Sequence, residues 1–222
     1  MKTHGPLKLA VFVEPMFQEN GYLLWTDAGP EAWIIDPGFS PQPEDMLAAV
    51  KRHKLKPAAI LITHAHPDHM AGVEVLREAH PDLPITAPRD EQHMLTDARA
   101  NLSAQMGLPL VVPAADRLVA PGDKLILGPL AWQVLDVSGH SPGGVAYYSL
   151  QAGVVFTGDA LFAGSIGRTD FPGGSTRRLL ANIREHLFTL PADTVVYSGH
   201  GPATTIGDER DTNPWLQGGP DS

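Results

Sequence analysis

Thr63-His64-Ala65-His66-Pro67-Asp68-His69 puts four side chains able to bind a metal within six residues. On extended backbone, residues two apart point the same way, so His64 and His66 can grip one ion. Asp68 and His69 follow a proline at the expected start of a helix, where the chain turns and a carboxylate is favourable. They can face a second ion beside the first. Two later glycine-flanked loops carry one histidine each, Ser138-Gly139-His140-Ser141-Pro142-Gly143 and Ser198-Gly199-His200-Gly201-Pro202. Between them lies Thr157-Gly158-Asp159-Ala160. A lone histidine is ordinarily a solvated loop residue, but five of the ten histidines fall in these segments. Each segment follows an expected strand, which is where a rigid sheet can hold a site. The total is five histidines and two aspartates, against about three protein ligands for one catalytic zinc. Two divalent ions about 3.5–4 Å apart would use them, if one carboxylate bridges. The chain has no cysteine, so any metal must rest on histidine and carboxylate.

The elements that must position these loops can be read from periodicity and punctuation. Strands are expected at Leu7–Val13, Tyr22–Thr26, Ala32–Ile35 and Ala58–Thr63, the last an apolar run buried on both faces. Helices are expected at Glu44–Lys54, His69–Ala79 and Asp90–Met106. From about Leu118 strands return, at Lys124–Leu127, Ala131–Val137, Val145–Leu150 and Val154–Thr157. Ser175 is a good N-cap for a helix carrying Leu179, Leu180, Ile183 and Leu187. A short strand, Thr194–Tyr197, leads into His200. This order implies two β-rich halves with helices outside, a layered α/β sandwich.

The 222 residues suit one domain spanning 1–222. Hydrophobic residues make up 43% and charged residues 18%, with a mean hydropathy of −0.09, as in an ordinary globular protein. No apolar run approaches the roughly 20 residues of a membrane-spanning helix. Leu7–Val13 is followed at once by Glu14-Pro15 and lacks a cleavage site, so it reads as a strand and not as a leader. We therefore expect a cytoplasmic protein with no membrane partner. A net charge of −9 argues against a nucleic-acid partner, which wants a basic face. The sequence sets no oligomeric state.

The quoted residues resemble the metallo-β-lactamase superfamily along nearly the whole chain. Its HxHxDH signature stands as His64, His66, Asp68 and His69, and its later ligands match His140, Asp159 and His200. The resemblance implies an αββα four-layer sandwich. It also implies one ion on His64, His66 and His140 and another on Asp68, His69 and His200, with Asp159 bridging. Zinc is the expected metal, with iron or manganese as alternatives. Gly158 to Gly174, which includes Gly167-Arg168-Thr169-Asp170-Phe171, is similar to the glyoxalase II (hydroxyacylglutathione hydrolase) group, especially its short branch. So are Gly199 to Gly207 and Asn213-Pro214-Trp215-Leu216. The helical C-terminal domain of full-length glyoxalase II is not expected, since 22 residues follow His200.

That resemblance implies hydrolysis of a thioester such as S-D-lactoylglutathione by a hydroxide shared between the ions, with Asp68 and Asp159 positioning it. Two divalent ions, two aspartates and a hydroxide sum to about +1, so a small anionic thioester is the expected substrate. Arg168 is either a clamp for a substrate carboxylate or a partner of Asp170 that fixes the loop. Asp36 is either a turn residue or, as the resemblance implies, the orienting partner of a ligand histidine. Gly-Arg-Thr-Asp-Phe also resembles persulfide dioxygenases, which leaves a mononuclear iron enzyme using His64, His140 and Asp159 as an alternative. A lactonase or a weak β-lactamase is a further one. True β-lactamases match less well, because one subclass needs a cysteine and the others do not normally bridge through aspartate.

Overall fold

In the computed structural model, which describes residues 1–217, seven strands form one sheet in the order β1-β2-β3-β4-β5-β6-β7. They are β1 (Lys2–His4), β2 (Leu7–Val13), β3 (Asn20–Thr26), β4 (Glu31–Ile35), β5 (Lys56–Leu61), β6 (Ile85–Pro88) and β7 (Arg117–Val119). The first four are antiparallel to their neighbours, and β4 to β7 run parallel. A second sheet is built from β8 (Lys124–Leu127), β9 (Leu130–Asp136), β10 (Val145–Ser149) and β11 (Val154–Gly158). After the small hairpin of β12 (Leu161–Phe162) and β13 (Ser165–Ile166), it is completed by β14 (Val195–Ser198) and β15 (Thr204–Thr205). Among the described residues the α-helices are α1 (Gln42–Arg52), α2 (Val73–Ala79), α3 (Thr176–Asn182) and α4 (Ile206–Thr212).

Alternation along the strands produces the layers. Tyr22 and Leu24 of β3, Trp33 and Ile35 of β4, and Val145 and Tyr147 of β10 face the core between the sheets, which Trp132, Phe156 and Tyr197 fill. The intervening Leu23, Trp25, Ala32 and Ile34 face outward against Met46, Ala49 and Val50 of α1 and Val73 and Leu76 of α2. On the opposite side, Ala146, Tyr148, Val155 and Val196 meet Leu179 of α3, then Ile183 and Leu187, and Ile206 of α4. This is the αββα sandwich. Ser175 caps α3 by accepting from the Arg178 N–H, and a π-helical turn over Ile183–Leu187 continues it.

Several expectations change: the helix expected at Glu44–Lys54 spans Gln42–Arg52, and strands not read from the sequence stand at Lys2–His4 and Ile85–Pro88. The strand expected at Ala58–Thr63 spans Lys56–Leu61, because the Thr63 N–H leaves the ladder for Asp36 Oδ1 at 2.7 Å. The helix expected from His69 begins at Val73. Pro67–His69 form a 3₁₀ turn, and Gly72 N–H bonds Pro37 O, which pulls the chain toward the end of β4 before the helix winds. Asp90–Met106 is not one helix: 3₁₀ turns cover Arg89–Thr96 and Ser103–Met106. Asp97 accepts from the N–H groups of Arg99 and Ala100. Asn101 reaches the carbonyls of Met94 and Leu110. Short polar side chains here offer the backbone an alternative to the helix. Among the described residues, no helix is long and apolar enough to cross a membrane.

Candidate metal centre

Strand direction gathers the site. β4 and β5 run parallel, as do β11 and β14, and β9 runs with β11 because both are antiparallel to β10. The loops after these five strands carry Asp36, His64 to His69, His140, Asp159 and His200, and all emerge at one edge of the sandwich. The Val145 N–H bonds Thr63 O at 2.9 Å and joins the two sheets at that edge.

All seven candidate ligands come together there. Ligand atoms of His64, His66 and His140 lie within 4.8 Å of one another. The same holds for Asp68, His69 and His200, and for His64, His69 and Asp159. Asp159 sits between the sets. Its Oδ2 is 3.6 Å from His140 Nε2 and 3.4 Å from His200 Nε2, and its Oδ1 is 3.4 Å from His69 Nε2. Asp68 Oδ2 is 3.3 Å from His200 Nε2.

Hydrogen bonds behind the rings determine which nitrogens face inward. His140 Nδ1 donates to Arg168 O at 2.7 Å and His200 Nδ1 to Phe17 O at 3.1 Å. His69 Nδ1 donates to Asp36 Oδ2 at 3.1 Å. The Thr63 hydroxyl donates to Asp36 Oδ2 at 2.6 Å and so accepts from His64 Nδ1 at 3.2 Å. In these four histidines Nε2 is left to face the centre. His66 is reversed, with its Nδ1 aimed at the same point, 3.0 Å from His140 Nε2.

Burial and charge test whether these groups fit metal ions. His64 Nε2, His69 Nε2 and Asp159 Oδ1 are buried without any hydrogen-bond partner, a costly arrangement unless something else satisfies them. Burial, then the neighbouring His69 and His66, holds His64 well below the usual histidine range. Burial, then His140, brings His66 down to about 3. Burial opposes a charge on His200, but Asp159 and Asp68 hold it up at about 10. Burial also opposes the charge on Asp159, whose carboxyl His69 and His200 nonetheless hold well below its ordinary value. His64 and His66 are thus neutral with unused lone pairs, while the carboxylates of Asp159 and Asp68 hold protons on His69 and His200 where a divalent cation would replace them. Neutral imidazoles and ionised carboxylates are the donor set of such a cation.

Further residues, which sequence reasoning missed, hold this floor in place. Glu91, fully buried, accepts from Ala65 N–H at 2.6 Å and Gly143 N–H at 2.8 Å, tying the His64–His66 turn to the His140 loop. Glu14, also fully buried, accepts from the N–H groups of Met16, Phe17 and Glu19, and so fixes the carbonyl that orients His200. Asn20 bonds Ser198 O, Gly199 O and Gly201 O on the other side of that loop. A Cβ on Gly199 would overlap Asp159 Oδ1 and His69 Cε1. Lone carboxylates and an asparagine carry no spacing signal. Glu14 reads only as the polar end of a strand and Glu91 as part of a helix.

Above the floor opens a cleft of about 550 Å³, lined by His66, Asp68, His140, Asp159 and His200 and walled by Phe17, Leu102, Met106, Phe162 and Phe171. Arg168 lines it too, but is paired bidentately with Asp170 at 2.7 and 2.6 Å. Its guanidinium stacks on Phe171, 4.4 Å from the ring centroid. Of its two sequence readings, the contact with Asp170 is the one present. Asp36, at φ +47°, is a turn residue whose carboxylate holds Thr63 and His69 together.

A model of the metallo-beta-lactamase superfamily matches residues 15–200. The chain belongs to the metallo-beta-lactamase superfamily. Within it, the chain is 41% identical over 202 residues to the probable metallo-hydrolase YqgX of Bacillus subtilis, covering 90% of this chain and 93% of that one. It is 35% identical, with the same coverage, to the hydroxyacylglutathione hydrolase GloC of Haemophilus influenzae. The crystal structure of the B3 metallo-beta-lactamase BLEG-1 superposes with a TM-score of 0.89 at 41% identity, covering 95% of this chain and all of that one.

Proposed function

We propose that this superfamily member is a two-metal hydrolase of thioesters, with hydroxyacylglutathione as the first substrate to test. The observation that carries the reading is the floor itself, where two histidine-containing ligand sets with unsatisfied buried atoms share Asp159. In this reading His64, His66 and His140 hold one ion, Asp68, His69 and His200 the other, and Asp159 faces both. Two divalent ions, zinc before iron or manganese, supply Lewis acidity and a water acidified to about neutral pH. The chain's own residues do the rest. Asp68 and Asp159 offer carboxylate oxygens within 3.3 and 3.4 Å of His200 Nε2, where they would accept hydrogen bonds from the attacking water and aim it. Asp36 and the carbonyls of Phe17 and Arg168 hold three imidazoles in the required tautomer. A thiol of pKa about 8.5 leaves without a dedicated acid. The GloC relative's name supports a thioester in particular.

The test is hydrolysis of S-D-lactoylglutathione by metal-replete protein at neutral pH, followed by loss of thioester absorbance. Turnover lost on chelation and in Asp159→Ala is the expected result. Absence of turnover in protein holding two ions would overturn the reading. The likeness to a B3 β-lactamase favours lactam hydrolysis as a second reading, so a chromogenic cephalosporin belongs in the same assay. A mononuclear persulfide dioxygenase leaves the set of Asp68, His69 and His200 without a use, and oxygen uptake on glutathione persulfide distinguishes it.

A further inference from the structure

We infer that the cleft selects apolar acyl groups and leaves the thiol carrier to solvent, an inference that rests on the thioester reading and names its substrate class. An anionic substrate such as lactoylglutathione calls for a free cation beside the metals. Among the described residues lining the cleft, Arg168 is the one lysine or arginine. One edge of its guanidinium, Nε and one Nη, is committed to Asp170, and one face to Phe171. The pair presents a neutral rim, and an incoming carboxylate would meet the Asp170 charge as well as the Arg168 charge.

The walls are apolar instead. Phe171 packs edge-on against the rings of His66 and His140, 5.2 and 5.8 Å away, and Phe162 stands 6.1 Å from His200. A carbonyl seated over these histidines would thus be flanked by Phe171 on one side and Phe162 on the other. Beyond them Leu102 and Met106 extend the wall. Leu102 sits at φ +75°, a left-handed conformation that a leucine adopts only when its surroundings impose it. They do so through buried polar groups beside it. Asn101 is tied to the carbonyls of Met94 and Leu110, and Ser103 is tied to Asn101 Oδ1. A bulky apolar side chain held rigidly in a strained position, along a cleft that opens onto the ligands, suits an aliphatic or aromatic acyl chain. Each methylene seated there leaves water. Met106, half exposed and unbranched, can adapt to chain length.

The test uses metal-loaded protein and two non-hydrolysable thioethers of equal charge, S-methylglutathione and S-hexylglutathione, with Kd measured by calorimetry. The hexyl compound is expected to bind at least tenfold tighter. Leu102→Gly, which suits the left-handed backbone, and Met106→Ser, at a half-exposed site, should each cut that ratio at least threefold. A ratio near one, or a ratio unmoved in both variants, would overturn the inference. A parallel comparison of hexanoylglutathione and lactoylglutathione should give the higher kcat/KM to the hexanoyl ester, and a preference for the lactoyl ester would count against the inference. If neither ester turns over, the thioester reading fails by itself, and the thioether ratio still decides whether the cleft is an apolar binding site.

Discussion

The floor of the cleft and its rim are held by different kinds of contact. On the floor, bonds span the chain: Asp36 to Thr63 and His69, Glu91 to Ala65 and Gly143, Asn20 to Ser198 and Gly201, His140 to Arg168 O. Nearly all the side chains involved are buried. On the rim, Arg168 meets Asp170 two residues away, and both are more than half exposed. Asn101 and Ser103 close a local loop. Buried long-range hydrogen bonds determine geometry cooperatively, whereas an exposed ion pair contributes little. The floor therefore has little freedom to change, and on the rim only the exposed Arg168–Asp170 pair has more.

Variants can break this division, and they are ordered by expected effect. Asp159→Ala removes the group that faces both ligand sets and should lower hydrolysis on the order of a thousandfold, read as kcat/KM with circular dichroism unchanged. Gly199→Ala drives a methyl against Asp159 and His69. It should displace the ion on Asp68, His69 and His200 while the other set still loads, seen as a halved metal content. Asp36→Asn weakens the acceptor that orients His69 and should cost roughly ten- to a hundredfold in metal affinity, measured by competition with a chelating dye. Glu91→Ala leaves the buried Ala65 N–H and the part-buried Gly143 N–H without their acceptor and should destabilise the fold by about 2 kcal/mol, seen as a lower Tm. Asp170→Asn frees the Arg168 guanidinium and should tighten binding of S-methylglutathione no more than a few fold. A larger gain would mean that the rim charge, and not the apolar wall, governs selection.

The clustering of the candidate ligands was legible in the sequence because their chemistry is written in residue type and spacing. A histidine pair two apart, an aspartate after a proline, and histidines in glycine-flanked loops can be recognised without knowing how the chain closes. The sheet strands with clean alternation, such as Lys124–Leu127, were legible for the same reason. The residues that steady the ligands were not. Glu91 and Asn20 act through backbone groups 26 to 181 positions away, and no local pattern predicts a bond of that span. Glu14 acts on nearby N–H groups, but only the folded chain brings Phe17 O to His200. Asp90–Met106 looks helical because its apolar residues recur at helical spacing. What breaks it are the side-chain-to-backbone bonds of Asp97 and Asn101, which become evident only when their partners are in place.

The central claim is that the floor holds two ions in two ligand sets sharing Asp159. Native mass spectrometry of the metal-reconstituted protein tests it directly, with His64→Ala and His200→Ala measured alongside. The account predicts two divalent ions per chain in the parent and one in each variant. A parent that holds a single ion under saturating metal, or variants that both still hold two, would contradict it.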